Sequence, residues 1–123
     1  MNVVSDQMFM SLAIEEGRKA RFWSTPNPPV GCILVRSGQV IGSGFTQPLG
    51  QHHAEIEALR SCEEPFDATA YVTLEPCSHY GNTPPCTKAL IAAGIARVVV
   101  ALEDPNPAVS GQGILQLREA GIE

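Results

Sequence analysis

Three short stretches of this 123-residue chain bring together residue types that can bind a metal: His53-Ala54-Glu55, Glu75-Pro76-Cys77, and Cys86. One imidazole and two thiolates form a soft-to-borderline donor set that suits Zn²⁺. Three protein ligands leave the fourth tetrahedral position to water, as in catalytic zinc centres, whereas a structural site ordinarily recruits four. The competing reading is a core histidine with buried thiols. His-Ala-Glu alone is a common chance match, and so is Pro-Cys. The ordered set is sharper, because each piece falls at the boundary of an expected element. Cys32 and Cys62 have no such partners and read as small core residues. Glu75 either orients a ligand from behind the metal or ends a strand.

The surrounding pattern supplies the elements that must position these groups. Ser5 is suited to cap a first helix, with Met8, Phe9, Leu12 and Ala13 as its apolar stripe, running to about Ala20. The cluster Ser24-Thr25-Pro26-Asn27-Pro28-Pro29 breaks it. Val30–Arg36 and Gln39–Phe45 read as a hairpin across Ser37-Gly38. A helix is expected from His53 to about Cys62, then a strand over Ala70–Leu74, then a helix after Pro84-Pro85 ending near Gly94. Arg97–Leu102 is nearly all apolar and reads as a central strand buried on both faces. A last helix covers roughly Gly113 to Ala120 and invites one more parallel strand.

The order α-β-β-α-β-α-β-α predicts an α/β fold, a three-layer α-β-α sandwich around a central mixed sheet. His53 and Glu55 can share a target only at the open first turn of a helix, since residues two apart splay by about 200° further along. Cys86 is expected at a second helix start and Cys77 beyond the carboxyl end of a strand, where open sheets bind ligands. Helix N-termini carry partial positive charge and favour thiolate over thiol.

Composition narrows the function classes. Hydrophobic residues make up 44% and charged residues 17%, with mean hydropathy +0.03, which describes a folded globular domain and not a disordered chain. Eight basic residues against thirteen acidic give a net charge of −5 and a pI near 5.1, which disfavours nucleic acid as partner. No apolar run approaches the ~18–20 residues of a membrane span. The first residues show no secretory signal, so a cytoplasmic location is expected.

With His-Ala-Glu, Pro-Cys and a further Cys in place, the chain resembles the zinc-dependent cytidine-deaminase-like superfamily. Most members have two residues between the cysteines. Here the eight residues from Ser78 to Pro85 intervene, a spacing similar to that of the pyrimidine deaminases of riboflavin biosynthesis. Further likenesses are Thr25-Pro26-Asn27-Pro28 before Val30-Gly31-Cys32, the run Leu90-Ile91-Ala92-Ala93-Gly94, and Glu103-Asp104-Pro105-Asn106-Pro107 with Gly111 and Gly113.

The resemblance implies one Zn²⁺ per chain on His53, Cys77 and Cys86, with Glu55 as proton shuttle. It implies a substrate pocket that includes Asn27, His79, Asp104 and Asn106, although both Asn-Pro pairs also suit ordinary turns. The implied substrate is a small pyrimidine nucleotide, 2,5-diamino-6-ribosylamino-4(3H)-pyrimidinone 5′-phosphate. A homo-oligomer, dimer or larger, is expected, and residues 1–123 are expected to be the front part of a longer deaminase–reductase. Two positions depart from the family: Thr46 stands where a histidine is usual, and Asn82 where a basic residue is usual, both expected near the phosphate end. The alternatives are a deaminase of another small heteroaromatic ring, a nucleic-acid base deaminase, or a zinc-binding module without activity.

Overall fold

Ser37 and Gly38 both adopt left-handed backbone, at φ 54° and 77°, which is what a two-residue type I′ hairpin turn demands. They join β1 (Gly31–Arg36) to β2 (Gln39–Phe45), with Arg36 opposite Gln39 and one irregularity between Leu34 and Val35. The computed structural model describes residues 3–24, 28–48, 51–78 and 84–123. The remaining elements are α1 (Val3–Arg18), α2 (Ala54–Arg60), β3 (Thr69–Val72), α3 (Cys86–Ala92), β4 (Arg97–Val100) and α4 (Gln112–Glu119). Strand order is β2-β1-β3-β4; β1 runs antiparallel to both neighbours, and β3 and β4 are parallel. This is the mixed sheet expected. Helix α1 starts at Val3, so Ser5 lies inside its first turn and is not its cap.

The two faces of the sheet separate by residue parity, as strand geometry requires. Ile33, Val35, Tyr71 and Val99 meet Phe9 and Ala13 of α1. Cys32, Leu34, Ala70, Val72, Val98 and Val100 turn the other way, towards Ala54 and Ala58 of α2, Leu90 of α3 and Leu117 of α4. One helix on one face and three on the other make the three layers. Asp6 of α1 ties its face to the sheet: it accepts hydrogen bonds from the Tyr71 hydroxyl at 2.7 Å and from the two terminal Arg97 nitrogens at 2.9 and 2.7 Å.

Strand β4 corrects one expectation. Its valines are covered on both faces, by α1 and by α4, yet the strand lies at the edge of the four-stranded sheet and all four residues are only half-buried. Glu123 pairs with the outer edge: its N–H donates to Ala96 O at 3.2 Å and its carbonyl accepts from Val98 N at 2.9 Å. An apolar run reports how the faces are covered. It does not report whether both edges are paired.

Two glycines bring α2 close enough to matter for function. A Cβ on Gly44 would lie 2.4 Å from Ala58 N and 2.5 Å from Ala54 O, and one on Gly42 would lie 2.8 Å from Ala58 O. Helix α2 therefore rests directly on the β2 backbone, and that seating sets where its N-terminus ends up. No described helix is long and apolar enough to cross a membrane.

Candidate active site

His53 is the N-cap of α2, with extended backbone (φ −75°, ψ 166°) and a carbonyl that accepts from Glu57 N at 3.1 Å. Its imidazole makes no capping bond and turns instead to the cysteines. Nδ1 stands 3.3 Å from Cys86 Sγ and 3.8 Å from Cys77 Sγ. Cys86 is the first residue of α3, after Pro85, and Cys77 follows β3 by five residues. The Cys86 N–H donates to Cys77 Sγ at 3.2 Å, and the Thr87 N–H donates to Cys77 O at 3.2 Å. Both helix starts thus face one point, as expected.

The donor atoms of His53, Cys77 and Cys86 all lie within 4.8 Å of one another. Tetrahedral zinc, with bonds of about 2.0–2.3 Å, separates a nitrogen and a sulfur ligand by about 3.6 Å. The observed N···S distances of 3.3 and 3.8 Å bracket that value. The donor set and its spacing fit zinc. The charges fit as well. A hydrogen bond from the Cys86 thiol, helped by His53 and the Cys86 N–H, holds the Cys77 thiol down at about 4. The bond to Cys77 and burial push Cys86 well up, because a second thiolate beside the first lacks a countercharge. A divalent cation supplies that countercharge. The hydrogen bond to Cys77 raises His53, against the opposing effect of burial.

Glu55 is buried in the first turn of α2, two residues after His53. Burial pushes its carboxyl up to about 7, opposed by a backbone N–H and by the Cys86 thiol. A carboxyl in that range can both accept and return a proton near neutral pH. It shares a cavity of about 190 Å³ with His53 and Cys77, walled by Val30, Leu74 and Asp104. A larger and more open groove of about 500 Å³ lies along β2 between Lys19 and Arg60, away from these ligands.

Asp104 reaches the cavity, while its Oδ1 also accepts from Asn106 N at 2.9 Å. Asn106 is exposed and spends its side-chain oxygen on Ala108 N at 3.0 Å. Asn27, His79 and Asn82 lie outside the described residues. Cys32 sits in the core with its thiol pushed up by burial, and Cys62 packs on the edge of the same cluster.

Two residues have roles the sequence did not reveal. Thr46 is buried at the cavity wall, but its hydroxyl is spent on backbone: it accepts from Val30 N at 2.9 Å and donates to Pro28 O at 3.1 Å. Its hydroxyl proton is therefore committed to backbone and not to a ligand. Glu75 neither reaches a ligand nor merely ends a strand. Its Oε1 accepts from Asp104 N and Gly111 N at 3.0 and 2.9 Å, and its Oε2 from Gly113 N and Ile114 N at 2.8 and 3.3 Å. Burial would raise this carboxyl; the four N–H donors together hold it below its ordinary value. Gly113 packs so tightly that a Cβ would lie 2.1 Å from Pro76 O. The nearest signal was the Gly111/Gly113 pair opposite an acidic residue just before Pro-Cys.

A family model for the cytidine and deoxycytidylate deaminase zinc-binding region matches residues 3–102. The chain belongs to this deaminase family. Its sequence is 51% identical over 121 residues to the riboflavin biosynthesis protein RibD of Escherichia coli K12, covering 98% of this chain and 33% of that one. The diaminohydroxyphosphoribosylamino-pyrimidine deaminase of Buchnera aphidicola subsp. Acyrthosiphon pisum is 48% identical over 120 residues, which is 97% of this chain and 82% of that protein. The solved structure of Acinetobacter baumannii RibD, form 1, superposes with a TM-score of 0.96 at 51% identity, covering 99% of this chain and 35% of the other. The chain thus spans about a third of the length of these RibD proteins. The deaminase fold agrees with the three layers expected from the element order.

Proposed function

We propose that this chain is a zinc-dependent hydrolytic deaminase of riboflavin biosynthesis. It takes 2,5-diamino-6-ribosylamino-4(3H)-pyrimidinone 5′-phosphate and replaces the 2-amino group with oxygen, releasing ammonia. The observation that carries this reading is the His53–Cys77–Cys86 triangle with buried Glu55 beside it, in a chain that aligns over 82% of a relative named for this deamination.

His53, Cys77 and Cys86 hold one Zn²⁺ and do not react. Zinc bound there supplies Lewis-acid polarisation of water, lowering its pKa towards neutrality. Glu55 takes the proton from the attacking water. It passes that proton to the ring nitrogen next to C2 as the new C–O bond forms. It then takes the remaining proton from the C2 hydroxyl and delivers it to the departing amine, so that C2 becomes a carbonyl and ammonia leaves. Burial raises the Glu55 carboxyl, which favours its taking up a proton. The cavity of about 190 Å³ is suited to the pyrimidine ring. Asp104, at the wall of that cavity, is assigned to substrate binding. Asn27, His79 and Asn106 are assigned to substrate binding from the motif positions they occupy.

The test is incubation of the zinc-loaded chain with the pyrimidine nucleotide, following ammonia and the exchange of amine for carbonyl oxygen by mass spectrometry. Turnover of the nucleotide supports the reading. A clear preference for the dephosphorylated compound, or for cytidine or dCMP, would assign the site to another heteroaromatic substrate. That second reading has one observation in its favour, the Thr46 hydroxyl committed to backbone.

A further inference from the structure

Eight residues separate Cys77 from Cys86, so no single helical turn sets the distance between them. Something outside that loop must hold the two cysteine-bearing segments in register. Two contacts are local, the Cys86 and Thr87 N–H groups on Cys77. A third comes from α4. Gln116 Nε2 donates to Ser78 O at 3.2 Å, and Gln116 Oε1 accepts the Thr87 hydroxyl proton at 2.6 Å. Ser78 directly follows Cys77, and Thr87 directly follows Cys86. One carboxamide therefore bridges the residue after each cysteine.

The bridge is rigid at both ends. Thr87 is fully buried, so its rotamer is fixed by packing. Helix α4 is pinned to the Cys77 segment one turn earlier, where Glu75 Oε2 takes the Gly113 and Ile114 N–H groups and Gly113 packs on Pro76 O. Gln116 is thus held by the same segment whose far end it braces. A planar amide with a donor and an acceptor on opposite atoms suits this task; an apolar or acidic side chain would not serve both ends.

We infer that Gln116 is a positioning residue that fixes the spacing of the Cys77 and Cys86 segments and thereby sets how tightly the chain holds zinc. The inference rests on the assignment of His53, Cys77 and Cys86 as the zinc ligands. Outer partners of metal ligands commonly change metal affinity by about 10–100-fold when removed.

The test is competition for Zn²⁺ against a chromophoric chelator, run well below the unfolding temperature. Thermal unfolding of the metal-free protein is measured alongside. Gln116→Met removes both polar ends at similar length and should weaken zinc binding about tenfold. The double variant Gln116→Met/Thr87→Val also removes the buried Thr87 hydroxyl that the single variant strands, leaving only the part-buried Ser78 carbonyl without its donor, so it keeps the test valid should the single variant fold poorly. Because both substitutions break one bridge, the double variant should lose about as much affinity as the single one, not the sum. Thr87→Ser keeps the hydroxyl and should bind zinc like the wild type. Zinc affinities of the single and double variants within about twofold of wild type would overturn the inference, even if their unfolding temperatures fall. Wild-type chain that binds no zinc would overturn the metal assignment itself. Normal wild-type binding with unaffected variants would remove the bridge alone.

Discussion

Glu75→Gln isolates the carboxylate that fastens the 104–114 segment to the site. In the wild type each oxygen takes two backbone N–H groups. The amide keeps one oxygen and turns an NH₂ towards the other two donors. Of the two orientations, the less costly one keeps oxygen on Gly113 and Ile114, because the Gly113 N–H is buried while the Asp104 and Gly111 groups are only partly so. Two charged hydrogen bonds then become neutral, and two are lost. Hydrogen bonds to charged groups contribute about 1.5–3 kcal/mol against about 1 for neutral ones, so the expected loss is at least about 4 kcal/mol. That is a large share of a domain's ordinary stability of about 5–15 kcal/mol. Urea unfolding measures it, and amide hydrogen exchange locates it: Asp104 and Gly111 should lose protection while Gly113 keeps most of its own. A depressed folded-state pKa adds a sign. The Glu75 contribution is present above the unfolded carboxylate pKa and fades as pH falls below it, so the wild type should lose its advantage over the variant in acid. A loss below about 1 kcal/mol, or unchanged exchange at Asp104 and Gly111, would refute the four-bond clamp.

The other predictions concern packing and charge. Gly113→Ala should destabilise by about 1–3 kcal/mol in urea unfolding, because the new methyl meets Pro76 O at 2.1 Å and outweighs alanine's helix preference; a stabilised variant would contradict that packing. Asp6 is held at about 2 by Arg97 and the Tyr71 hydroxyl, so its contribution is complete above the ordinary carboxylate pKa of 3.8 and is lost as pH drops towards 2. Asp6→Asn should therefore be less stable than wild type at neutral pH and should show a shallower loss of stability between pH 4 and 2, read from unfolding midpoints. Equal slopes would mean the Asp6–Arg97 pair contributes nothing.

Much of this was legible because local chemistry and global fold agree. Ser37-Gly38 marks the hairpin since few residue pairs tolerate two left-handed conformations. The alternation of Ile33 and Val35 against Cys32 and Leu34 announces two covered faces. His53, Cys77 and Cys86 could be paired from sequence because each lies where an element begins or just beyond a strand, and such ends converge in an open α/β sheet. The edge position of β4 was not legible, because covered faces produce the same apolar run at an edge as at the centre. Nor were the second roles of Thr46, Glu75 and Gln116. Each acts on backbone groups distant in sequence, and a side chain's type does not say which amide it will meet. Thr46 shows the consequence most clearly: nothing in the spacing announces that its hydroxyl is taken up by Pro28 and Val30.

On the proposed reading, zinc on His53, Cys77 and Cys86 works with Glu55 as the proton shuttle. Glu55→Gln tests it most directly, with zinc content and single-turnover deamination of the pyrimidine nucleotide measured on the same preparation. The amide preserves size and hydrogen bonding but cannot carry a proton between water, ring nitrogen and amine. Zinc occupancy should be full and substrate binding unimpaired, with the rate down by roughly 10³ or more, at the upper part of the 10²–10⁴ range for general acid–base catalysis, because Glu55 acts at several steps. A variant that retains zinc and deaminates within about tenfold of wild type would show that another group moves the protons.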